Sequence, residues 1–561
     1  MLQDSKAKRT YDAIVIGSGA SGGWAAKELT EKGLKTLVLE RGRMVRHIED
    51  YPTASKAPWE FEFRGAVPID KRSGLGAANW KREETMHWAL AEDEQPYIEE
   101  KPFRWFRGYH VGGKSLLWAR GTQRWSDYDF EGPARDGYAV DWPIRYKDIA
   151  PWYDHVEKFA GISGSIEGLP HLPDGQFLPP MDLNCVEKDV AARIKEKFKG
   201  DRHLIIGRVA NLTKAIEGRT NCQFRNRCWE GCPFGGYFST QSSTMPAALK
   251  TRNLTVRPFS IVTKLLYNKN TKKADGVEVL DSETNKTYTF NAKIVFLNAS
   301  ALNSAWVLFN SATDIWPGGL GSSSGELGHN VMDHHYNLGA SGTIEGFEDK
   351  YVYGRRPNGF YIPRFVNMGN DKRNYLRGFG YQGGAGRQGW SREVAELSIG
   401  AAFKEALTEP GSWTIGATGF GEILPYHENK ISLDPNKKDK WGLPVLSMDC
   451  ELKQNELDMR KDIVLELKAM LEAGGAKNIS SYDNGHAIGH GIHEMGTARM
   501  GRDPKTSVLN GNNQVWDAKN VFVTDGACMT SSANQNPSLT YMALTARAAN
   551  FAVEALKKGD I

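Results

Sequence analysis

The strongest constraint on this chain lies near its N-terminus. Tyr11 to Ile16 is an apolar, β-branched run ending at Gly17, followed by Gly17-Ser18-Gly19-Ala20-Ser21-Gly22. Gly22 to Lys32 carries a helical pattern closed by Gly33, and Leu34 to Leu39 is a second apolar strand ending at Glu40. Strand, glycine loop, helix and strand within about thirty residues are the setting in which GxGxxG binds a dinucleotide. Glycines at 17, 19 and 22 permit a tight turn, close approach of backbone to a pyrophosphate and close helix–strand packing. The free N–H groups where the helix starts, around Ala20 and Ser21, are placed to bind the diphosphate. Glu40, with Arg41 beside it, is positioned to accept from a ribose diol, and an acid here argues against a 2′-phosphate and hence NADP. A second segment, Asp525-Gly526-Ala527 after the apolar run VFVT, closes the chain and favours FAD over NAD.

The fold class predicted from this pattern is α/β, with a Rossmann-like nucleotide-binding domain. At 561 residues the chain exceeds one compact core, so two intertwined domains are expected. Residues 1–160 form the first part of the nucleotide domain, with a surface excursion at 50–100 rich in Trp, Pro and charge. Asp141-Trp142-Pro143 introduces a helix from Tyr146 to Phe159, capped by Gly161. Residues 161–200 form an excursion of the substrate domain, and 201–344 return to the nucleotide domain. Between 253 and 299 alternating runs predict strands of a sheet laid beside the nucleotide fold, and Ser304 to Phe309 begins the next helix. Glycine-rich stretches at 317–328 and 378–389 read as loops. Residues 345–480 carry mixed signals for a substrate-binding domain, and 481–561 complete the nucleotide domain, with a final helix from Ser538 to Lys558 closed by Gly559.

Charge and hydropathy exclude several roles. The formal charge of +4 is too small and dispersed to argue for nucleic acid. No stretch approaches 18 uninterrupted apolar residues, so no direct membrane span is expected. No signal peptide is visible, which leaves a cytoplasmic protein or one exported to the periplasm with a partner. Sixteen tryptophans exceed the needs of the core, and some suit a sugar-stacking cleft.

Three of the six cysteines, Cys222, Cys228 and Cys232, fall within eleven residues, and Pro233 follows the last. A structural zinc site takes four protein ligands, and no histidine occurs between His203 and His329 to supply one nearby. A disulfide would leave one thiol over. Iron–sulfur clusters take cysteine thiolates, and a following proline fits the ferredoxin pattern. Three ligands suit [3Fe–4S], and a fourth such as Cys185 would suit [4Fe–4S]. A cluster beside a flavin would split its electron pair for a one-electron acceptor, which favours a dehydrogenase over an oxidase.

Near the C-terminus His493 lies in HEMGTARMG and Asn536 in NQNPSLT. Oxidising an alcohol removes a hydroxyl proton as hydride leaves carbon, and a neutral imidazole has suitable basicity near pH 7. His493 is the candidate base, with Asn536 hydrogen-bonding the same substrate oxygen. His486 and His490 share its loop but lack the i, i+4 helical scaffold of a metal site. Asn536-Pro537 also reads as N-cap and first residue of the last helix, whose positive end would face a flavin pyrimidine ring. Asp333-His334-His335 is open to a place at the site or in packing.

Taken with RGYHVGGKSLLWARGTQR at 107–124, DWPIRYKDIAPWYDHVE at 141–157 and GELGHNVMDHH at 325–335, these motifs resemble the glucose–methanol–choline (GMC) oxidoreductases, in that family's order. Within the family the chain looks most like bacterial sugar dehydrogenase large subunits (glucose, gluconate and fructose dehydrogenases, glucoside 3-dehydrogenase) and pyranose 2-oxidase. The resemblance implies an FAD domain of GMC type with an interleaved α+β substrate domain on an antiparallel sheet. It places Gly112, Gly113 and Ser115 against the flavin. It also gives His493 and Asn536 as the catalytic pair, and a [3Fe–4S] cluster on the three cysteines. Leu117 stands where pyranose 2-oxidase has a histidine bound to FAD, so the FAD is expected to be non-covalent. The implied activity is oxidation of a secondary or anomeric hydroxyl of a sugar or glycoside. A small subunit and a c-type cytochrome are the partners it suggests; the rival readings are a pyranose or glycoside oxidase using oxygen and a non-catalytic electron-transfer subunit.

Overall fold

The computed structural model describes residues 10–64, 67–72, 82–352, 359–389, 400–408, 410–485 and 487–561. Strand β1 (Thr10–Ile16) is paired in parallel on one side with β2 (Thr36–Leu39) and on the other with β8 (Thr287–Leu297). β5 (Leu254–Arg257) continues the parallel sheet beyond β2, and β17 (Ala518–Val523) continues it beyond β8. Crossover helices make such a parallel sheet buried on both faces, which is why these strands are near-continuous apolar runs. β16 (Gln514–Val515) closes one edge as an antiparallel hairpin with β17.

The strands between 253 and 299 do not form a separate sheet laid beside the nucleotide fold. β5 and β8 are members of the nucleotide sheet itself, and β6 (Ser260–Asn268) with β7 (Lys273–Asp281) extends from it as an antiparallel meander. β8 serves both arrangements. Its first half pairs with β7 and alternates buried and open positions, whereas its last four residues, beside β1 and β17, are all buried. Alternation in TYTFNAK marks the one-sided half, and the unbroken IVFL marks the centre of the parallel sheet.

A six-stranded antiparallel sheet forms the second layer, in the order β15 (Lys477–Asp483), β9 (Leu338–Ile344), β12 (Trp413–Gly421), β11 (Phe379–Arg387), β10 (Phe360–Ile362), β4 (Ile205–Ile206). Helix Gln454–Ala473 packs Met459, Ile463, Leu467 and Met470 against it, and helix Cys185–Lys197 adds Val186, Val190 and Ile194 to the same core. The segment 430–449 departs from this layer: β13 (Lys430–Lys438) and β14 (Pro444–Asp449) join β3 (Tyr97–Glu99) in a three-stranded sheet, and Ile431, Leu446 and Met448 belong to the core of the nucleotide layer.

The stretch 378–389, expected as a loop, is mostly the central strand β11. Its glycines are there because neighbours press on it: a Cβ at Gly383 would lie 2.3 Å from the Gly416 carbonyl oxygen, and one at Gly380 would lie 2.6 Å from Asn534 Nδ2. Glycine in a strand often marks such close approach rather than a turn. Helices fall close to their predicted limits, at Ala20–Glu31, Tyr146–Ala160 with Gly161 as left-handed cap, Ala301–Asn310 and Ser538–Lys558 with Gly559 as left-handed cap. The last packs Ala548, Ala549 and Ala552 close to Ala25, Ala26 and Leu29 of the first. Among the described residues no helix is long and apolar enough to cross a membrane.

Gly386, on the same strand, has open space where a Cβ would stand. Gly383→Val should therefore lower unfolding stability by about 1–3 kcal/mol through overpacking, and Gly386→Val should not. Paired denaturant titrations check this, and equal effects of the two substitutions would refute the close-approach account of β11.

Candidate active site

The C-terminal ends of β1 and β2, the start of helix Ala20–Glu31, the 3₁₀ turn Gly113–Leu116 and the segments 298–301, 490–494 and 525–538 enclose a cavity of about 440 Å³. Ligands of open α/β sheets lie in this place, beyond the carboxyl ends of the strands. Gly17, Gly19, Ala20, Ser21, Glu40, Arg41, Gly113 and Ser115 all line it. His493, Asp525, Gly526, Asn536 and Pro537 line it as well. Gly22 lies beneath the loop, where a Cβ would come within 2.0 Å of the Gly17 carbonyl oxygen, and Gly112 backs onto Gln241. Gly17 has φ +89°, which only glycine takes without strain, and its position is pressed by the Asn298 carbonyl.

Glu40 does more than face a ligand. Its Oε2 accepts from the Ser18 backbone N–H at 3.1 Å and the Ser18 hydroxyl at 2.5 Å, and its Oε1 accepts from Gly42 N–H at 3.0 Å. The Ser18 oxygen in turn accepts from Gly112 N–H at 2.8 Å. Ser18 thus ties the glycine loop, the acid and the Gly112-Gly113 turn together. Oε1 keeps a lone pair for a further donor. Arg41 lies over the rings of Tyr109 and Trp441 and pairs with Asp439 at 3.4 Å. Ser115 faces inward to its own turn, donating to Gly112 O at 2.6 Å and accepting from Thr240 N–H at 3.0 Å. Asp525 accepts from Ala527 N–H at 3.0 Å and the Ser304 hydroxyl at 2.5 Å, and burial pushes its pKa up to about 6.

The catalytic candidates are joined by a directed hydrogen-bond chain. His334 Nε2 meets the Ala533 carbonyl oxygen, which can only accept, so in the neutral ring Nε2 carries the proton and Nδ1 is an acceptor. His493 Nδ1 lies 2.8 Å from that Nδ1 and must donate to it. His493 Nε2 is then left with its lone pair, which accepts from Asn536 Nδ2 at 3.3 Å. Asn536 Oδ1 accepts from Gln382 Nε2 at 2.7 Å, which fixes the amide's orientation. Burial, followed by the charges of His334 and Lys114, pushes the His493 pKa down to about 3, against the opposing Asp333. The imidazole is therefore neutral at pH 7, with the basic nitrogen beside an amide donor.

Two of these partners, His334 and Gln382, come from outside the predicted pair. Gln382 sits on β11, the strand that its glycines disguised. Asp333 shapes the loop from behind: its carboxylate accepts from the backbone N–H groups of Gly489, Gly491 and His493 at 2.8, 2.8 and 3.0 Å. His490 lines the cavity and stacks on Phe106, and His486 lies outside the described residues. The expected capping role of Asn536 is not found. The last helix begins at Ser538 with Pro537 before it, and the Asn536 side chain goes to His493 and Gln382 instead.

The loop carrying Cys222, Cys228 and Cys232 packs behind the cavity wall. Tyr237 hydroxyl donates to Cys228 O at 3.0 Å and Leu116 O at 2.9 Å, and Trp229 lines the cavity. All three thiols are free and partly buried, and burial pushes those of Cys222 and Cys232 up. Cys185 sits apart, at the start of a helix in the second core. Among the described residues no three His, Cys, Asp or Glu side chains are grouped to hold a metal ion. As placed, the thiols do not fit a closed ligand set for an iron–sulfur cluster.

Family models described as GMC oxidoreductase match residues 11–336 and 425–545, and the chain belongs to that family. It is 28% identical to 2-methyl-1,2-propanediol dehydrogenase of Mycolicibacterium austroafricanum, over 96% of this chain and 94% of that protein. It is 22% identical to the fructose dehydrogenase large subunit of Gluconobacter japonicus, over 98% of each. Among solved structures, formate oxidase of Aspergillus oryzae superposes with a TM-score of 0.61 at 13% identity, covering 99% of this chain and 100% of that one. The chain is thus an FAD-dependent oxidoreductase acting on CH–OH donors. Its cavity fits that cofactor: Gly19 leaves open space where a Cβ would stand, and the buried Asn298 Oδ1 and Glu494 Oε1 have no protein partner.

Two outcomes follow from the chain of donors. Gln382→Ala releases the Asn536 amide and should lower kcat by about 10–100-fold with FAD retained, read by steady-state kinetics and flavin absorbance. Because the His493 pKa lies far below 6.5, this base stays deprotonated as pH falls from 8 to 5. A kcat/KM profile losing activity with an apparent pKa near 6.5 that is absent in His493→Gln would contradict that assignment.

Proposed function

We propose that the chain is an FAD-dependent dehydrogenase that oxidises a secondary or anomeric hydroxyl of a sugar or glycoside. The observation that carries it is the lone pair of His493 Nε2, held beside the Asn536 amide in the same cavity as the dinucleotide loop. Bound FAD supplies the hydride acceptor. His493 Nε2 takes the hydroxyl proton, a contribution of about 10²–10⁴-fold for a general base of this kind. Asn536 Nδ2 donates to the substrate oxygen and aligns it with that nitrogen. His334 holds the tautomer through Nδ1, and Gln382 holds the amide.

Support for a carbohydrate comes from the walls near this pair. Tyr336, Phe420 and His490 offer flat apolar faces, and Gln382 offers an amide, a combination suited to the alternating C–H faces and hydroxyl edges of a pyranose. The fructose dehydrogenase relative is in accord. Glucoside 3-dehydrogenase is one specific activity within this proposal.

For the electrons' exit we propose an outer one-electron acceptor such as a cytochrome, reached without an iron–sulfur cluster on Cys222, Cys228 and Cys232, whose thiols as placed are not grouped to hold one. A small partner subunit is proposed on the likeness to a protein named as a large subunit.

Anaerobic addition of a panel of sugars, glycosides and small diols should bleach the flavin with a glycoside most readily, and product analysis assigns the carbon. Bleaching by diols alone would overturn the sugar reading. Turnover of the purified protein in air should form no stoichiometric peroxide. Stoichiometric peroxide would make it an oxidase. His493→Ala should lose about 10²–10⁴ in kcat, and full turnover in that variant would overturn the base assignment.

A further inference from the structure

Lys114 and Glu494 form an ion pair in the cavity lining, in a place the proton-handling chain does not use. Lys114 Nζ lies 3.4 Å from Glu494 Oε2, with the two side chains 27% and 6% exposed. Both residues line the cavity, and Glu494 Oε1 is buried without a protein partner. Lys114 follows Gly113 on the turn that faces the nucleotide loop, and Glu494 follows His493. The charge on Lys114 is close enough to His493 to disfavour its protonation. The pair therefore lies at the end where hydride and proton are exchanged, and not at the end marked by Glu40 and Arg41.

The other charges nearby have their own engagements. Asp333 takes three backbone N–H groups, and Asp525 takes Ala527 N–H and the Ser304 hydroxyl. Among the described residues Lys114 is the one cation in salt-bridge range of Glu494. Acceptance of a hydride makes the acceptor more negative. In a partly desolvated cavity a nearby cation favours that change and a nearby anion opposes it, with little screening by solvent. A matched pair leaves the balance near neutral, and loss of either member exposes the other.

We propose that Lys114 and Glu494 are an opposed pair that sets the reduction potential of FAD bound in this cavity, Lys114 raising it and Glu494 lowering it. The proposal rests on the FAD reading of the cavity. It assigns neither residue a bond to substrate.

The test is equilibration of purified holoenzyme at pH 8 with a reference dye of known potential, without substrate. Lys114→Met should raise the oxidised-to-reduced ratio of the flavin about tenfold, and Glu494→Gln should lower it about tenfold. Lys114→Arg, which keeps the charge, should stay within about twofold of wild type. Opposite signs are the discriminating feature, because a purely structural disturbance has no reason to move the potential in opposite directions. Shifts of the same sign, or no shift in either charge-removing variant, would overturn the pair while leaving the FAD site intact. Colourless wild-type protein would overturn the FAD reading, and this proposal with it.

Discussion

One unbroken order of donors and acceptors holds the site together. It starts at the Ala533 carbonyl, which can only accept, and runs through His334, His493 and Asn536 to the Gln382 amide. Each link fixes the protonation or orientation of the next, so the position of the basic lone pair is set by the fold. The chain also bridges the layers: Gln382 belongs to the antiparallel sheet, and His493 and Asn536 belong to segments closing the nucleotide domain. A shift of one layer against the other would break the chemistry before it broke either core.

Close approach of backbone to backbone makes that bridge possible. At the nucleotide loop, Gly17 and Gly22 allow strand, helix and the Asn298 carbonyl to meet where any side chain would intrude. At the opposite wall, β11 is thinned by glycines so that neighbouring strands and the 531–536 loop press against it. Asn534 reaches the Tyr361 hydroxyl on β10 at 3.0 Å, and Gln535 reaches Asp129 at 3.3 Å. The loop carrying Asn536 is thereby anchored on both sides.

Three buried acids at the site act chiefly as receivers for backbone N–H groups. Glu40 ties Ser18 and Gly42, Asp333 gathers three amides of the 489–493 loop, and Asp525 holds the turn at Ala527. Such charge-assisted bonds are stronger than neutral ones and give irregular loops the rigidity that helices and strands obtain from their own ladders. Glu494, also at the site, departs from this pattern, since its partner is the side-chain cation of Lys114.

The amino-acid order alone determined the βαβ unit around Gly17, Gly19 and Gly22, the acid at Glu40 and the last helix ending at Gly559. These are local signals: a period of hydrophobicity, a glycine where φ is positive, a cap at a helix end. The pairing of His493 with Asn536 came instead from the resemblance to the GMC family. Tertiary structure decided what depends on distant neighbours. Only pairing on both sides shows 378–389 to be mostly a central strand, because glycine in a crowded strand and glycine in a loop look alike along the chain. Only the Ala533 carbonyl reveals which His334 nitrogen carries the proton, and so which nitrogen of His493 is the base. Asn536 was legible as a cap because its neighbours in sequence suggest one, yet its side chain turns to His493 and Gln382, 43 and 154 residues away. A hydrogen bond is chosen by proximity in space, and the sequence records proximity only along the chain.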